Sequence, residues 1–330
     1  MAAGAWGISV ATMHQAKVAR AAGISRIMLA HQVLDSTALT WAAAELARDA
    51  SFEFSWFVDS VEGVQAAAEA GRDHLSRNGF PVILDVGYFG GRTGVRTAPQ
   101  ARALAGAISA TEGVCLVGVN GYEGGLTNVD GVRSFFAKVR TVVEDLAASG
   151  LLPAAPIVTA CGSAYFDLVA SDLGDQWANQ QGATVILRSG SSITHDNGVY
   201  EHKTAYSRIA REGNLQLALQ IWVQILSAPE LGLALAGMGK RDAPIDEGMP
   251  IPLAIRHSGS SDVVDIRGHA TVPKMDDQHC YVHLADGLPV RPGDLVCFGI
   301  SHPCTAFDRW RVIPIVNASD TVVDVVRTYF

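Results

Sequence analysis

The chain has 330 residues, 48% of them hydrophobic, and a net charge of −8, which allows one large core or two medium ones and argues against nucleic acid or anionic membrane as partners. No apolar stretch reaches the length of a membrane span, and MAAGAWGISV lacks the basic start of a secretory signal. Five cysteines at irregular spacing (115, 161, 280, 297, 304) do not read as a disulfide framework, so the expectation is a cytoplasmic globular protein that handles a small molecule.

In chain order, strands are predicted at GISVAT (7–12), RIMLA (26–30), EFSWFVDS (53–60), PVILDVGY (81–88), VCLVGVNGY (114–122), PIVTACGS (156–163) and TVILRSG (184–190). Ala-rich amphipathic segments such as STALTWAAAELARDA and VRSFFAKVRTVVEDLAASG lie between most of them. This alternation predicts an α/β domain with a parallel sheet and covering helices. Polar tails such as LDVGYFGGR and LVGVNGYEGG fit an active face at the carboxyl ends of the strands. A closed (β/α)8 TIM-type barrel needs eight strands and seven are visible. The sequence therefore predicts either another closure or, preferred, a first β–α unit missing in front of Met1.

From about residue 212 the texture changes. LQLALQIWVQIL, DVVDIRGHATVP, CYVHLADG, DLVCFGI, RVIPIVNAS and TVVDVVRTYF sit between Gly, Pro and Asp turns, the pattern of a mostly antiparallel β domain. The expected division is a barrel over 1–211 and a C-terminal β domain over 212–330.

Five stretches carry chemistry. TACGSA (159–164) and RSGSS (188–192) follow the last two visible barrel strands. Glycine lets backbone approach a ligand, and N–H groups with Ser hydroxyls cradle an anion; each is otherwise an ordinary turn. Arg92, after the Gly-rich turn of DVGYFGGRTGVR, is either a donor to a ligand oxygen or a surface ion-pair residue. In NGYEGG, Tyr122 and Glu123 sit on an equivalent rim, where Tyr122 can pack on a planar ligand or serve structure. In GISHPCTAFDRW, His302 and Cys304 are two apart, and extended backbone would place both on one side, with Pro303 holding His302 extended. That pair is a weak zinc signal by itself, and an ion there would lie where the two domains meet. His279, Cys280 and His283 of DDQHCYVH offer further donors or are structural. The sequence has no CxxC and no HExxH.

Together, AGAWGISVATMHQAKVARAAGISRIMLAHQV, DVGYFGGRTGVR, GYEGG, LRSGSSITHDNG and GISHPCTAFDRW resemble the D-serine dehydratase and D-threonine aldolase family, and most of all its bacterial amino-acid deaminase branch. The resemblance runs over essentially the whole chain. It implies the alanine-racemase-like fold, with a barrel binding pyridoxal phosphate (PLP) and a following β domain. It also implies that His302 and Cys304 are a metal-binding pair for zinc or manganese. Gly162, Ser163, Gly190 and Ser191 then fall where the PLP phosphate is held, Arg92 near the PLP ring, and Tyr122 on an active-site aromatic. Arg188 aligns more loosely with a residue at the pyridine nitrogen, where it would keep that nitrogen unprotonated and weaken the cofactor as an electron sink.

One expected part is absent. The family's Schiff-base lysine precedes the AGAWG segment, and none of Lys17, Lys138, Lys203, Lys240 and Lys274 matches its motif. A start placed downstream of that lysine is the preferred explanation, in line with the seven strands. The implied activity is PLP- and metal-dependent deamination of a D-serine-like β-hydroxy amino acid to a keto acid and ammonia. Retro-aldol cleavage of the D-threonine aldolase type is the alternative, as is a PLP or metabolite binder without catalysis. A metal-only hydrolase or lyase ranks last. A homodimer is expected from the relatives.

Overall fold

The computed structural model describes residues 4–75, 79–160, 162–209 and 214–329. Its chain divides into two compact units, Met1–Ser189 and Gly190–Phe330. The boundary expected at 211/212 lies outside the described residues.

The first unit alternates strand and helix: β1 (Ile8–Val10), α1 (Met13–Ala21), β2 (Arg26–Leu29), α2 (Ser36–Arg48), β3 (Glu53–Val58), α3 (Val61–Gly71), β4 (Phe80–Val86), α4 (Ala98–Ala110), β5 (Val114–Gly121), α5 (Val129–Ala148), β6 (Ile157–Ala160), α6 (Phe166–Asp172), α7 (Asp175–Gln181) and β7 (Thr184–Leu187). All seven strands are parallel and ordered as in the sequence. Sequential order is what repeated β–α units of one hand produce. The result is a seven-stranded parallel sheet, and all seven predicted strands are present.

Local chemistry sets where the helices start. Thr12, Asp35, Ser60, Thr97 and Asn128 cap α1 to α5, each accepting from a backbone N–H of the first turn. In α4, Gln100 reciprocates on the Thr97 N–H to complete a capping box. Helix α5 buries Val132, Phe135, Phe136, Val139, Val142, Val143 and Leu146, a spacing of three and four that makes one apolar stripe. Under the helices, Trp56, Phe80, Ile83 and Leu84 of β3 and β4 are fully buried, as expected for strands covered on both faces.

The second unit opens with a short 3-10 turn (Gly190–Ile193) and α8 (Val199–Lys203). It continues with β8 (Gln220–Glu230), β9 (Leu233–Ala236), β10 (Ile251–Arg256), β11 (Val263–Asp265), β12 (Ala270–Met275), β13 (Cys280–Leu284), β14 (Leu295–Gly299), β15 (Val312–Val316) and β16 (Val322–Arg327). Seven of these strands form an antiparallel sheet in the order β11-β10-β14-β8-β9-β13-β12. Ile225, Met238, Ile255, Met275, Cys280, Val282 and Phe298 are among its core. Strands β15 and β16 pair only with each other and leave Val312, Ile315, Val316, Val322, Val323, Val325 and Val326 exposed. Among the described residues, no helix is long and apolar enough to cross a membrane.

Candidate active site

In the first unit, three polar side chains stand in one cross-strand row near the carboxyl ends of the strands. Asp85 of β4 pairs in register with Asn120 of β5, and Asn120 with Thr159 of β6. All three are buried. Asn120 Nδ2 donates to Asp85 Oδ1 at 2.6 Å, while Gln32 Nε2 and Thr93 Oγ1 each donate to Asp85 Oδ2 at 2.8 Å. Arg188, just beyond β7, completes the row: its Nη2 donates to Asn120 Oδ1 at 2.7 Å and its Nε to Thr159 Oγ1 at 3.0 Å. The guanidinium also lies 5.4 Å from the Phe57 ring centre. A carboxylate only accepts and a guanidinium only donates, so the Asn120 amide has one orientation that serves both.

Arg92 is exposed, and its guanidinium lies over the half-buried Tyr122 ring at 4.4 Å. These two sequence-predicted residues are therefore brought together. Their turn is shaped by a neighbour the sequence analysis passed over. Arg96 Nη1 donates to the carbonyls of Thr93 (2.6 Å) and Gly94 (2.7 Å), and Nη2 to those of Gly91 (2.9 Å) and Arg92 (2.6 Å). Lys138 Nζ adds bonds to the carbonyls of Gly87 (2.7 Å) and Arg96 (2.5 Å). Desolvation, then the nearby Arg96 charge, lowers the Lys138 pKa. Gly94 has φ +94°, and a Cβ there would stand 2.4 Å from the Gly87 nitrogen, so the close turn requires glycine.

Gly162 and Ser163 lie between β6 and α6, with Ser163 buried. The Gly162 N–H donates to the Glu123 carboxylate. Glu123 is thus a fully buried group under this loop rather than a rim residue.

In the second unit, Gly190 and Ser191 form the start of the 3-10 turn, and a Cβ on Gly190 would meet only open space. The residues that follow are laced to the segment after β14: Asn197 N–H donates to the Ile300 carbonyl (2.9 Å) and Val199 N–H to that of Ser301 (3.0 Å). Two glycines permit this approach. A Cβ on Gly299 would fall 1.9 Å from Asn197 Oδ1, and one on Gly198 would fall 2.6 Å from the Ser301 carbonyl oxygen. Two residues before Asn197, His195 is buried at φ +52°, with its Nε2 3.4 Å from a Glu201 carboxylate oxygen.

His302 and Cys304 do come together, for a different reason than predicted. Strand β14 ends at Gly299, and the pair sits in the bends beyond it rather than in continuing strand. His302 Nδ1 lies 2.8 Å from Asp246 Oδ2, and Thr305 Oγ1 donates to Asp246 Oδ1 at 2.9 Å. The hydrogen bond with Cys304, opposed by burial and reinforced by Asp246, raises the His302 pKa to about 9. Burial pushes the Asp246 carboxyl up, but bonds from His302 and Thr305 pull it below its usual value on balance. The exposed Cys304 Sγ is 4.0 Å from Ser191 Oγ, which sets the metal-type pair beside a predicted phosphate residue.

An imidazole and a thiol side by side are a borderline-soft donor set that suits zinc. Among the described residues, no group of three or more His, Cys, Asp or Glu side chains is arranged to hold an ion; an ion on this pair would complete its shell with water or substrate. The other candidate donors stay apart from it. Cys280 is buried in β13 with its thiol pushed up to about 12, and His283 pairs in register with Thr271 and Leu233 in the same sheet. Three of the five lysines are also occupied elsewhere: Lys17 lies over Trp41, Lys138 holds the Arg92 turn, and Lys274 pairs with Asp276.

Residues 1–174 match the model of the alanine racemase N-terminal domain, and residues 218–316 match a serine dehydratase domain. The chain belongs to the alanine racemase N-terminal domain family, of PLP fold type III. This family member is 26% identical over 238 residues to 3-hydroxy-D-aspartate aldolase of Paracoccus denitrificans (strain Pd 1222), covering 70% of this chain and 55% of that protein. It thus spans about half the length of that curated relative. Its fold matches D-threonine aldolase from Filomicrobium marinum with a TM-score of 0.77 at 22% identity, over 98% of this chain and 82% of that one. It also matches D-threo-3-hydroxyaspartate dehydratase from Delftia sp. HT23 with a TM-score of 0.76 at 22% identity, over 100% and 86% of the two chains.

Proposed function

We propose that this alanine racemase-family chain is a PLP- and metal-dependent lyase that deaminates a β-hydroxy D-amino acid, D-serine or a larger analogue, to a keto acid and ammonia. The observation that carries the reading is the His302–Cys304 pair, joined by hydrogen bonding and placed with its thiol 4.0 Å from the Ser191 hydroxyl. PLP, when bound, would supply an electron sink at the substrate Cα, and a divalent ion would supply a Lewis acid for a β-hydroxyl.

The chain's own residues have separable tasks. Arg188, held by Asn120 and Thr159, would be the donor offered to the acceptor nitrogen of the cofactor ring. Its guanidinium donates only and does not surrender a proton, so it keeps that nitrogen unprotonated. Gly162 and Ser163 in one unit, and Gly190 and Ser191 in the other, are each the kind of loop that would hold a phosphate through backbone and hydroxyls. Tyr122, backed by Arg92, lines the ring. His302 and Cys304 hold zinc or manganese. The division into a cofactor-binding part (1–211) and a β part (212–330) is supported by the two family matches, which end at 174 and begin at 218.

The test is to supply the purified chain with PLP and Zn2+ or Mn2+ and assay D-serine, D-threo-3-hydroxyaspartate and D-threonine. Keto acid and ammonia support elimination. Glycine and an aldehyde support the second reading, aldolase cleavage, which is favoured by the identity to the Paracoccus aldolase. PLP binding without turnover supports a third, a cofactor binder, which is motivated by five lysines that miss the family's motif. We propose further that the chain pairs as a homodimer, a reading supported by the bare apolar hairpin of β15 and β16; light scattering at micromolar concentration tests it.

A further inference from the structure

Asp246 and Thr305 reach His302 from two directions in sequence. Asp246 comes from the loop between β9 and β10, and Thr305 lies three residues beyond the histidine. Yet Thr305 Oγ1, the Asp246 carboxylate and His302 Nδ1 form a continuous chain, at 2.9 and 2.8 Å. A carboxylate at neutral pH accepts and does not donate, so the Nδ1 facing it carries a hydrogen. A neutral imidazole with hydrogen on Nδ1 has its lone pair on Nε2, the nitrogen left for a metal ion. Thr305 satisfies the second carboxylate oxygen and so fixes the direction in which the first one points. The His302 side chain is 15% exposed and that of Asp246 37%, so the ring is largely shielded while its carboxylate partner is partly open to water.

We propose that Asp246, steadied by Thr305, is the positioning residue of the metal site: it holds His302 in the Nδ1–H form, fixes the ring plane and strengthens Nε2 as a ligand without touching the ion. This rests on the reading of His302 and Cys304 as metal ligands. Removing an outer carboxylate of this kind lowers metal affinity by roughly 10- to 100-fold.

The test titrates Co2+ into the metal-free full chain and follows the thiolate-to-cobalt absorption band, with PLP binding measured in parallel. Asp246→Ala is expected to weaken cobalt binding within that range, leave the band unchanged at saturation, and leave PLP affinity unchanged. Thr305→Val is expected to weaken it by less, roughly two- to tenfold, because the carboxylate stays in place and only its aim is loosened. Asp246→Asn, which keeps an acceptor oxygen, is expected to fall between wild type and Ala. Wild-type affinity in Asp246→Ala would overturn the positioning role and leave the metal reading standing. A changed band at saturation would overturn it too, by making Asp246 a direct ligand. Failure of the wild-type chain to bind Co2+ or Zn2+ would instead remove the metal reading, and the proposal with it.

Discussion

Arg188 Nη2 donates to the side-chain oxygen of Asn120 at 2.7 Å, and the same amide donates to Asp85. One buried asparagine therefore connects an anion to a cation across the floor of the first unit. Asn120→Leu leaves both neighbours short of a partner, a loss of about 1–3 kcal/mol for a buried polar group. The expected outcome is lower stability in urea and a PLP affinity reduced by about tenfold as Arg188 loosens. Unchanged PLP quenching titrations would show that the row is structural only.

Arg96 donates to four consecutive carbonyls, Gly91 to Gly94. A lysine is a compact point charge on a flexible stem and does not reproduce that fork. Arg96→Lys and Arg96→Met should both speed hydrogen exchange at the amides of residues 91–95, whereas Arg92→Met should not. Equal exchange in all three would mean the backbone alone shapes the turn.

Gly299 faces Asn197 with no room for a methyl group. Gly299→Ala is expected to cost about 1–3 kcal/mol from overpacking. Asn197→Gly removes the obstructing atoms, so the double variant should recover much of that loss. A double-mutant cycle in urea measures the coupling, and strictly additive losses would count against this contact.

The four described thiols differ sharply in environment. Burial pushes Cys280 and Cys297 up to about 12 and raises Cys115, whereas Cys304 is exposed. At pH 8 a thiol reagent should modify Cys304 first among these four, and bound zinc should slow it. Peptide mapping by mass spectrometry reads each cysteine separately.

Asp294 sets part of the acid limit. Burial would raise its pKa, but N–H groups of Ser258 and Arg291 and the His257 ring hold it below 3.8 on balance. A carboxyl depressed in the folded state contributes stability in full above the unfolded value, and loses it as pH falls through the folded one. Asp294→Asn should therefore be less stable at pH 7, by about 1–3 kcal/mol, with a shallower decline below pH 4 in thermal melts. A parallel decline in both proteins would exclude Asp294 as the titrating group.

Much of the fold was legible because most strands of the first unit are β-branched or aromatic runs, and five of the seven run into a Gly or Asp. Strands β9 and β10 were not. LALA contains no β-branched residue and IPLAIR carries Pro252, so neither shows ordinary strand composition. DVVDIRGHATVP resolved into two strands, β11 and β12, with Gly268 at φ +77° between them. In the site, His302, Cys304, Arg92 and Tyr122 were readable from motifs. Asp246 was not, because it comes 56 residues before its histidine in a turn-rich loop. Asp85 and Asn120 did leave a trace: each is a polar residue near the end of an otherwise apolar run, and the parallel register puts them side by side.

The close backbone approach at Gly198 and Gly299 sets a scale. Because Asn197 and Val199 are tied to Ile300 and Ser301, the Ser191 turn and the Cys304 thiol travel as one piece. The gap between them works as a fixed gauge. A molecule anchored at the turn would meet the thiol after a set reach, so changes elsewhere in the chain could alter what fits around that molecule without altering how far along it His302 and Cys304 lie.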